Sequence, residues 1–127
     1  MTEETLKSYR GLREELRGMM WELGEIRAWS QSVARAPQTL PPPPISVGVV
    51  TVEAVEHVTR ERMKIVKREM LRIETAIDAL PAPARYILRA HYVDGHQWTS
   101  IAGALGVSRA SLYRLRSGAL DQITDNN

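Results

Sequence analysis

Arginine and short polar side chains cluster near the C-terminal end of this sequence, in a pattern suited to binding a polyanion. Guanidinium groups can donate two hydrogen bonds to a guanine edge or grip a phosphate, and short side chains allow a helix to enter a major groove. A helix N-terminus can also hold a phosphate through its free amides. We therefore predict DNA contacts, in which Arg109 and Arg114 approach the bases or the backbone near them. The candidate residues are Ser108, Arg109, Ala110, Ser111, Tyr113, Arg114, Arg116 and Ser117.

The surrounding residues predict how this helix is positioned. Two apolar sets precede and follow a glycine: Trp98, Ile101, Ala102 and Leu105, then Val107, Leu112 and Leu115. Gly106 supplies the positive φ of a tight turn, and Ala102 is small enough for a second helix to cross closely. Val107 fills the gap between the two helices, and Ser108 caps the second one. This pattern predicts a helix-turn-helix.

Positive charge is concentrated in the same part of the chain. Residues 1–36 and 52–80 each carry six basic and six acidic side chains, so both are neutral. Residues 81–120 carry five arginines against one acid, Asp94, in a chain whose net charge is only +2. A basic module suggests a polyanionic partner. We assign Arg116, Arg85 and Arg89 to phosphate contacts or to no contact.

Proline separates two long helical segments. Five of the seven prolines lie between Pro37 and Pro44, and four consecutive prolines favour polyproline II over helix. We therefore predict a long helix at 1–36, a Pro-rich linker at 37–51 and a second long helix at 52–80, with Thr51 as its N-cap. The helix-turn-helix module follows at 81–120 and a tail at 121–127. Since no strand pattern of useful length is present, the predicted fold class is all-α.

Apolar residues recur at steps of three and four along both long helices. The first seam is Tyr9, Leu12, Leu16, Met19, Leu23, Ile26 and Val33. The second is Met63, Val66, Met70, Ile73, Ile77 and Leu80, with Val52, Val55 and Val58 at its start. Such seams are typical of a coiled coil. We expect an antiparallel helical hairpin whose exposed seam residues can pair with another subunit in a homo-oligomer. Trp21 and Trp29 are expected as seam or subunit contacts.

Composition argues against several functional classes. The absence of cysteine excludes disulfide scaffolds and thiol nucleophiles. The histidines, His57, His91 and His96, lack metal-ligand spacing, and no Gly-rich phosphate loop is present, so we expect no enzyme activity, metal or cofactor. No apolar run approaches the roughly 18 residues of a membrane span, and the N-terminus is acidic where a secretion signal is basic. We expect a protein of the bacterial cytoplasm that does not bind membranes.

Six short motifs resemble a known DNA-binding family. They are Leu80-Pro81, Ala84-Arg85-Tyr86-Ile87-Leu88, Tyr92-Val93-Asp94-Gly95, Ile101-Ala102, Leu105-Gly106-Val107-Ser108 and Leu112-Tyr113-Arg114-Leu115. Together they look like the C-terminal promoter-reading domain of sigma factors. With the long helices and the linker, the chain resembles the small phage-encoded sigma-like regulators of the ArpU and RinA type. The resemblance implies a sequence-specific regulator of late phage or prophage genes that binds double-stranded DNA, with RNA polymerase as a candidate second partner.

Two positions depart from the sigma-like pattern. Ser100 stands where the family commonly has Glu. Gln97 stands where it commonly has Ser or Thr as a helix cap, and glutamine caps poorly. Both departures concern the first helix of the motif, so they affect its contacts more than the fold.

Two alternative functions also combine a helix-turn-helix with long helices. One is the small terminase subunit of a phage, which recognises packaging DNA, although its DNA-reading helices would come first along the chain. The other is a helical adaptor that binds a protein without touching DNA. The order of the elements favours the regulator over the terminase subunit.

Overall fold

The computed structural model describes residues 1–35 and 52–125, without the side chain of Val33. All regular structure in these ranges is helical, which confirms the all-α prediction. The Pro-rich linker predicted at 37–51, including Thr51, lies outside the described residues. The helices are α1 (Glu3–Lys7), α2 (Tyr9–Arg35), α3 (Val52–Asp78), α4 (Ala84–Leu88), a π-helical segment (Arg89–Val93), α5 (Trp98–Leu105) and α6 (Arg109–Asp125).

The helix predicted at 1–36 is interrupted near its start. Thr2 caps α1, because its hydroxyl oxygen accepts a hydrogen bond from the Thr5 amide at 3.2 Å. The Ser8 hydroxyl donates to the Thr5 carbonyl at 2.6 Å, and α2 begins at the next residue, Tyr9. A serine that bonds back to the preceding turn bends a helix, which explains the interruption.

The chain divides into two compact units. Unit 1 comprises Met1–Arg13 and Glu69–Asn127, and unit 2 comprises Glu14–Arg68. The start of α2 and the end of α3 therefore belong to unit 1. The main core of unit 1 contains Met1, Leu6, Tyr9, Ile73, Ile77, Leu80, Ala84, Leu88, Tyr92, Val93, Ala119 and Ile123. The first residues of the chain therefore help to form the core that supports the C-terminal helices.

Helix α6 is longer than the sequence predicted. Gly118 lies inside the helix rather than after it, although an interior glycine costs about 0.8–1.0 kcal/mol relative to alanine. Ala119 and Ile123, four residues apart, are each only 1% exposed, and their burial offsets that cost. Residues 121–125, predicted as part of a tail, are the last turn of α6.

Helices α2 and α3 form the predicted hairpin and run antiparallel. In unit 1, burial and then the neighbouring Glu74 carboxylate of α3 raise the pKa of Tyr9 of α2 above its ordinary value. In unit 2, Glu15 of α2 pairs with Arg62 of α3 at 3.0 Å. A later residue of α2 therefore meets an earlier residue of α3, as in an antiparallel pair.

Most of the seam in unit 2 faces inward as predicted. The buried apolar side chains of unit 2 are Met19, Leu23, Ile26 and Val66. The start of the second seam was wrong by one residue, because Val58 is 57% exposed and Thr59 only 8%. Thr59 lies seven residues before Val66 and so occupies the seam position. Trp21, predicted as a seam or subunit contact, is 65% exposed.

Candidate nucleic-acid interface

The turn between α5 and α6 is a left-handed helix cap. Gly106 has φ of +68°, as its type predicted. The Val107 amide donates to the Ala102 carbonyl at 3.1 Å, and the Gly106 amide donates to the Gly103 carbonyl at 3.2 Å. These two bonds form a Schellman motif, which satisfies the last carbonyls of α5 and turns the chain towards α6.

A second apolar cluster fixes α5 and α6 at this turn. Its buried members are Ile87, Ala90, Ile101, Ala102 and Leu112, and the half-buried Trp98, Leu105, Val107 and Leu115 pack against them. Val107 therefore fills the space between the helices as predicted. Because four different elements contribute to this cluster, α6 is held rigidly relative to α5.

Ser108 caps α6 as predicted. Its hydroxyl oxygen accepts a hydrogen bond from the Ser111 amide at 3.1 Å, and its carbonyl accepts one from the Leu112 amide at 2.9 Å. The start of the helix is thus defined by a side chain. Gln97, at the equivalent place on α5, makes no side-chain capping bond, as expected for glutamine.

One face of α6 is exposed and cationic. Arg109, Ala110, Arg114 and Ser117 are exposed, Tyr113 is 49% exposed and Ser111 is half-buried. The Arg114 guanidinium donates to the Ser111 hydroxyl at 3.2 Å, and neither Arg109 nor Arg114 forms an ion pair within residues 1–35 and 52–125. Both guanidinium groups are therefore available to an external acceptor.

A cleft of about 280 Å³ lies beside this face, between α5 and α6. Arg109 and Tyr113 line it from α6, and Thr99 and Gly103 line it from α5. The two helices of the motif thus present one continuous surface.

Arg116 does not belong to this surface. Its guanidinium donates to Glu3 Oε1 at 3.1 Å and lies 4.9 Å from the ring centroid of Trp98. Arg116 lies about 200° around the helix from Arg114, and its bond to Glu3 directs the guanidinium towards the protein. This ion pair removes Arg116 from the predicted DNA contacts.

The other two predicted phosphate contacts have different environments. Arg89 pairs with Asp78 at 3.1 Å and with Glu74 at 3.5 Å, so its charge is already neutralised within unit 1. Arg85 is exposed on α4. Only Arg85 of this pair stays a candidate phosphate contact.

Comparison with known proteins agrees with this geometry. The sequence model of the family described as Sigma-70, region 4, matches residues 70–123. Residues 70–123 form a sigma-like helix-turn-helix domain. A search of curated proteins and a search of solved structures found no match.

The family match begins at residue 70, so helix α1 is not part of the matched region. Helix α1 nevertheless contacts the sigma-like domain. Glu3 accepts a hydrogen bond from the Tyr92 hydroxyl at 3.0 Å in addition to the bond from Arg116. The hydrogen bond from Tyr92, together with Arg116, holds the pKa of Glu3 below its ordinary value of 4.5. Burial, followed by the bond to Glu3, raises the pKa of Tyr92 to about 12. Glu3 is therefore a charged link between α1 and the sigma-like domain.

Two arginines of α2 also contact the sigma-like domain, although no local sequence pattern indicates these contacts. Arg13 donates to the Val93 carbonyl at 3.0 Å. The exposed Arg10 guanidinium lies 3.1 Å from the position that a Cβ would occupy at Gly95, where φ is +81°. A charge count along the chain assigned both arginines to a neutral helix, so only their spatial position identifies them.

The three histidines do not lie together: His91 and His96 belong to unit 1, and His57 belongs to unit 2. His91 stacks on Trp98 with ring centroids 3.9 Å apart, and its Nδ1 donates to the His96 carbonyl at 2.8 Å. His57 is exposed on α3. Within the described ranges, no three His, Asp or Glu side chains are grouped so that they could hold a metal ion. No helix in the same ranges is long and apolar enough to cross a membrane.

Proposed function

We propose that this protein is a sequence-specific DNA-binding regulator of transcription, with α6 as the recognition helix in the major groove. The main support is the exposed cationic face of α6, where Arg109 and Arg114 have no acidic partner within the described residues. Ser108 caps this helix and Leu112 anchors it, so the face is rigid before DNA arrives. The sigma-like match over residues 70–123 supports promoter DNA as the target.

The proposal extends to the biological setting. Long helices, a Pro-rich segment and a C-terminal sigma-like domain are the organisation that phage regulators of the ArpU and RinA type share. We therefore propose late genes of a phage or prophage as the targets and RNA polymerase as a second partner. The protein acts by binding, without enzymatic chemistry, a cofactor or a metal.

The decisive experiment is selection of bound fragments from the source genome, followed by titration of the recovered site with variants. Arg109→Ala and Arg114→Ala should each weaken binding by about 1–3 kcal/mol if the side chain reads a base, and by less if it touches phosphate only. Arg35→Ala, at an exposed arginine near the end of α2, is the matched control and should leave the affinity unchanged. Unchanged affinity in both α6 variants would place the recognition face elsewhere.

We also propose self-association through the long helices. Trp21, Val58 and Ile65 are each more than half exposed in unit 2, and the last two lie seven residues apart on one stripe of α3. Large apolar side chains on a helical stripe favour contact with another subunit. Val58→Lys with Ile65→Lys should lower the molar mass measured by light scattering.

The same measurement separates the regulator from the packaging protein. A monomer or dimer that stimulates transcription from its recovered site supports the regulator. A closed ring of many subunits would favour a small terminase subunit. Absence of any gel retardation with pooled phage DNA at low salt would favour a helical adaptor.

A further inference from the structure

A groove of about 400 Å³ lies on unit 2, between α2 and α3. Its floor is apolar and consists of Leu23 and Met63 together with the half-exposed Met20. Gly24 completes the floor with bare backbone, and a Cβ added there would meet no atom within 4 Å. The volume is within the range of pockets that bind ligands or side-chain anchors.

The rim of this groove is cationic. Arg27, Arg60, Lys64 and Lys67 line it, and no acidic residue does. Arg60 reaches Glu56 at 3.7 Å and Lys64 reaches Glu61 at 3.0 Å, but these pairs are solvent-exposed and weak. Arg27 and Lys67 form no ion pair within the part of the chain that the structure describes. The groove therefore combines apolar contact area with unneutralised positive charge.

We propose that this groove binds an acidic amphipathic helix of a partner protein. Apolar residues spaced at i, i+3 or i+4 and i+7 on such a helix would occupy the floor, and its flanking carboxylates would meet the rim. Methionine side chains are flexible, so Met20 and Met63 can adapt to different apolar anchors. Because Gly24 has no side chain, the partner helix can approach α2 closely at this position.

The two other occupants fit the groove less well. The phosphates of a nucleic acid would satisfy the cations of the rim but provide no aliphatic side chains for Leu23 and Met63. A second copy of this chain, seated groove to groove, would bring the same four cations against each other. Charge and hydrophobicity together therefore favour an acidic protein segment. The inference does not depend on DNA recognition by α6.

The test uses the full chain and a labelled synthetic helix with leucine at i, i+3 and i+7, flanked by glutamates. A peptide of the same composition in scrambled order is the control for charge alone. We expect fluorescence anisotropy to show binding of the amphipathic peptide at least ten-fold tighter than of the scrambled one. Equal affinities would overturn the proposal.

A glycine pair on α2 provides a matched steric test. Gly24→Leu should fill the groove and weaken peptide binding at least ten-fold. Gly18→Leu places the same side chain on the same helix outside the groove lining, where a Cβ also meets nothing within 4 Å. Both substitutions replace a helix-weakening glycine, so neither should lower the melting temperature. Equal effects of the two variants on peptide affinity would contradict the proposed site.

Two adjacent cations on α3 provide the electrostatic test. Lys67→Glu should weaken peptide binding several-fold, whereas Arg68→Glu, an exposed position outside the lining, should have little effect.

The same variants identify the other two occupants. If Gly24→Leu dissociates an oligomer in light scattering, the groove belongs to a second copy. If Lys67→Glu weakens DNA binding and leaves peptide binding unchanged, it belongs to nucleic acid. Either result overturns the partner-protein assignment. If Gly24→Leu or Lys67→Glu weakens peptide binding but leaves gel retardation of DNA unchanged, the result supports the groove as a protein-binding site. It also leaves the function proposed for α6 unaffected.

Discussion

The outward and inward faces of α6 carry the same residue type in different environments. Arg114 is exposed, and its guanidinium donates a hydrogen bond to the Ser111 hydroxyl at 3.2 Å. The Arg116 side chain, two residues later, is only 29% exposed and is paired with Glu3. A count of arginines along the chain does not distinguish the two side chains, whereas their exposure and their partners do.

The inward face also shows why the outward face is rigid. Leu112, Arg116, Ala119 and Ile123 follow one another at steps of three or four, and three of them are no more than 2% exposed. The apolar members of this stripe belong to the two apolar clusters of unit 1, and Arg116 pairs with Glu3, so a rotation of α6 would disrupt both clusters and the ion pair. The positions of Arg109 and Arg114 therefore depend on residues that are buried in the core.

The largest expected difference between the two faces is in stability. Leu112→Ala removes a side chain that is 2% exposed and should lower the free energy of unfolding by about 2–5 kcal/mol. Tyr113→Ala, at the next residue, should change it by less than about 1 kcal/mol because half of that side chain is exposed. Urea denaturation followed by circular dichroism measures both. Similar losses in the two variants would show that the faces are not distinct.

The second expected difference concerns the two arginines. Glu3→Gln and Arg116→Met should show a coupling energy of about 0.5–1 kcal/mol in a double-mutant cycle of unfolding, because the ion pair is partly exposed. Arg116→Met should change DNA affinity less than Arg114→Ala does. A larger loss of DNA affinity in the Arg116 variant, with unchanged melting temperature, would return Arg116 to the DNA contacts.

The smallest expected effect is the pH dependence of the inward face. The folded protein lowers the pKa of Glu3, so Glu3 contributes stability above pH 4.5 that is lost as the pH falls through its folded pKa. Folding raises the pKa of Tyr92 from 10.0 to about 12, so the contribution of Tyr92 is present below pH 10 and is lost towards pH 12. Glu3→Gln should reduce the acid slope of the unfolding free energy, and Tyr92→Phe should reduce the alkaline slope. Unchanged slopes would mean that each group has the same pKa in the folded and unfolded protein.

The helix-turn-helix could be predicted because its signals are local. Gly106 requires a left-handed turn, Ser108 can cap only the helix that follows it, and the apolar spacing identifies the inward faces. All of these features fall within about twenty consecutive residues. Each is determined by backbone sterics and hydrogen bonding, so no tertiary information is needed.

The contacts of the N-terminal segment could not be predicted in the same way. The seam residue Tyr9 indicated an apolar face but not the partner that covers it. Glu3 and Arg116 are 113 positions apart, and nothing in either local sequence indicates that they meet. The same limitation applies to Ile123, which was assigned to a polar tail although it is 1% exposed in the core. Burial of a side chain by residues that are distant in the sequence depends on the folded unit. It therefore cannot be predicted from a short stretch of sequence.

The pairing of α1 with α6 also sets the order in which the protein can mature. On the ribosome, Met1 and Leu6 emerge long before Ala119 and Ile123, the residues with which they share a core. Their apolar surface stays without its final neighbours until α6 has been synthesised. The C-terminal unit is therefore completed late, and a product that ends before α6 would lack both the exposed arginine face and the last residues of its own core.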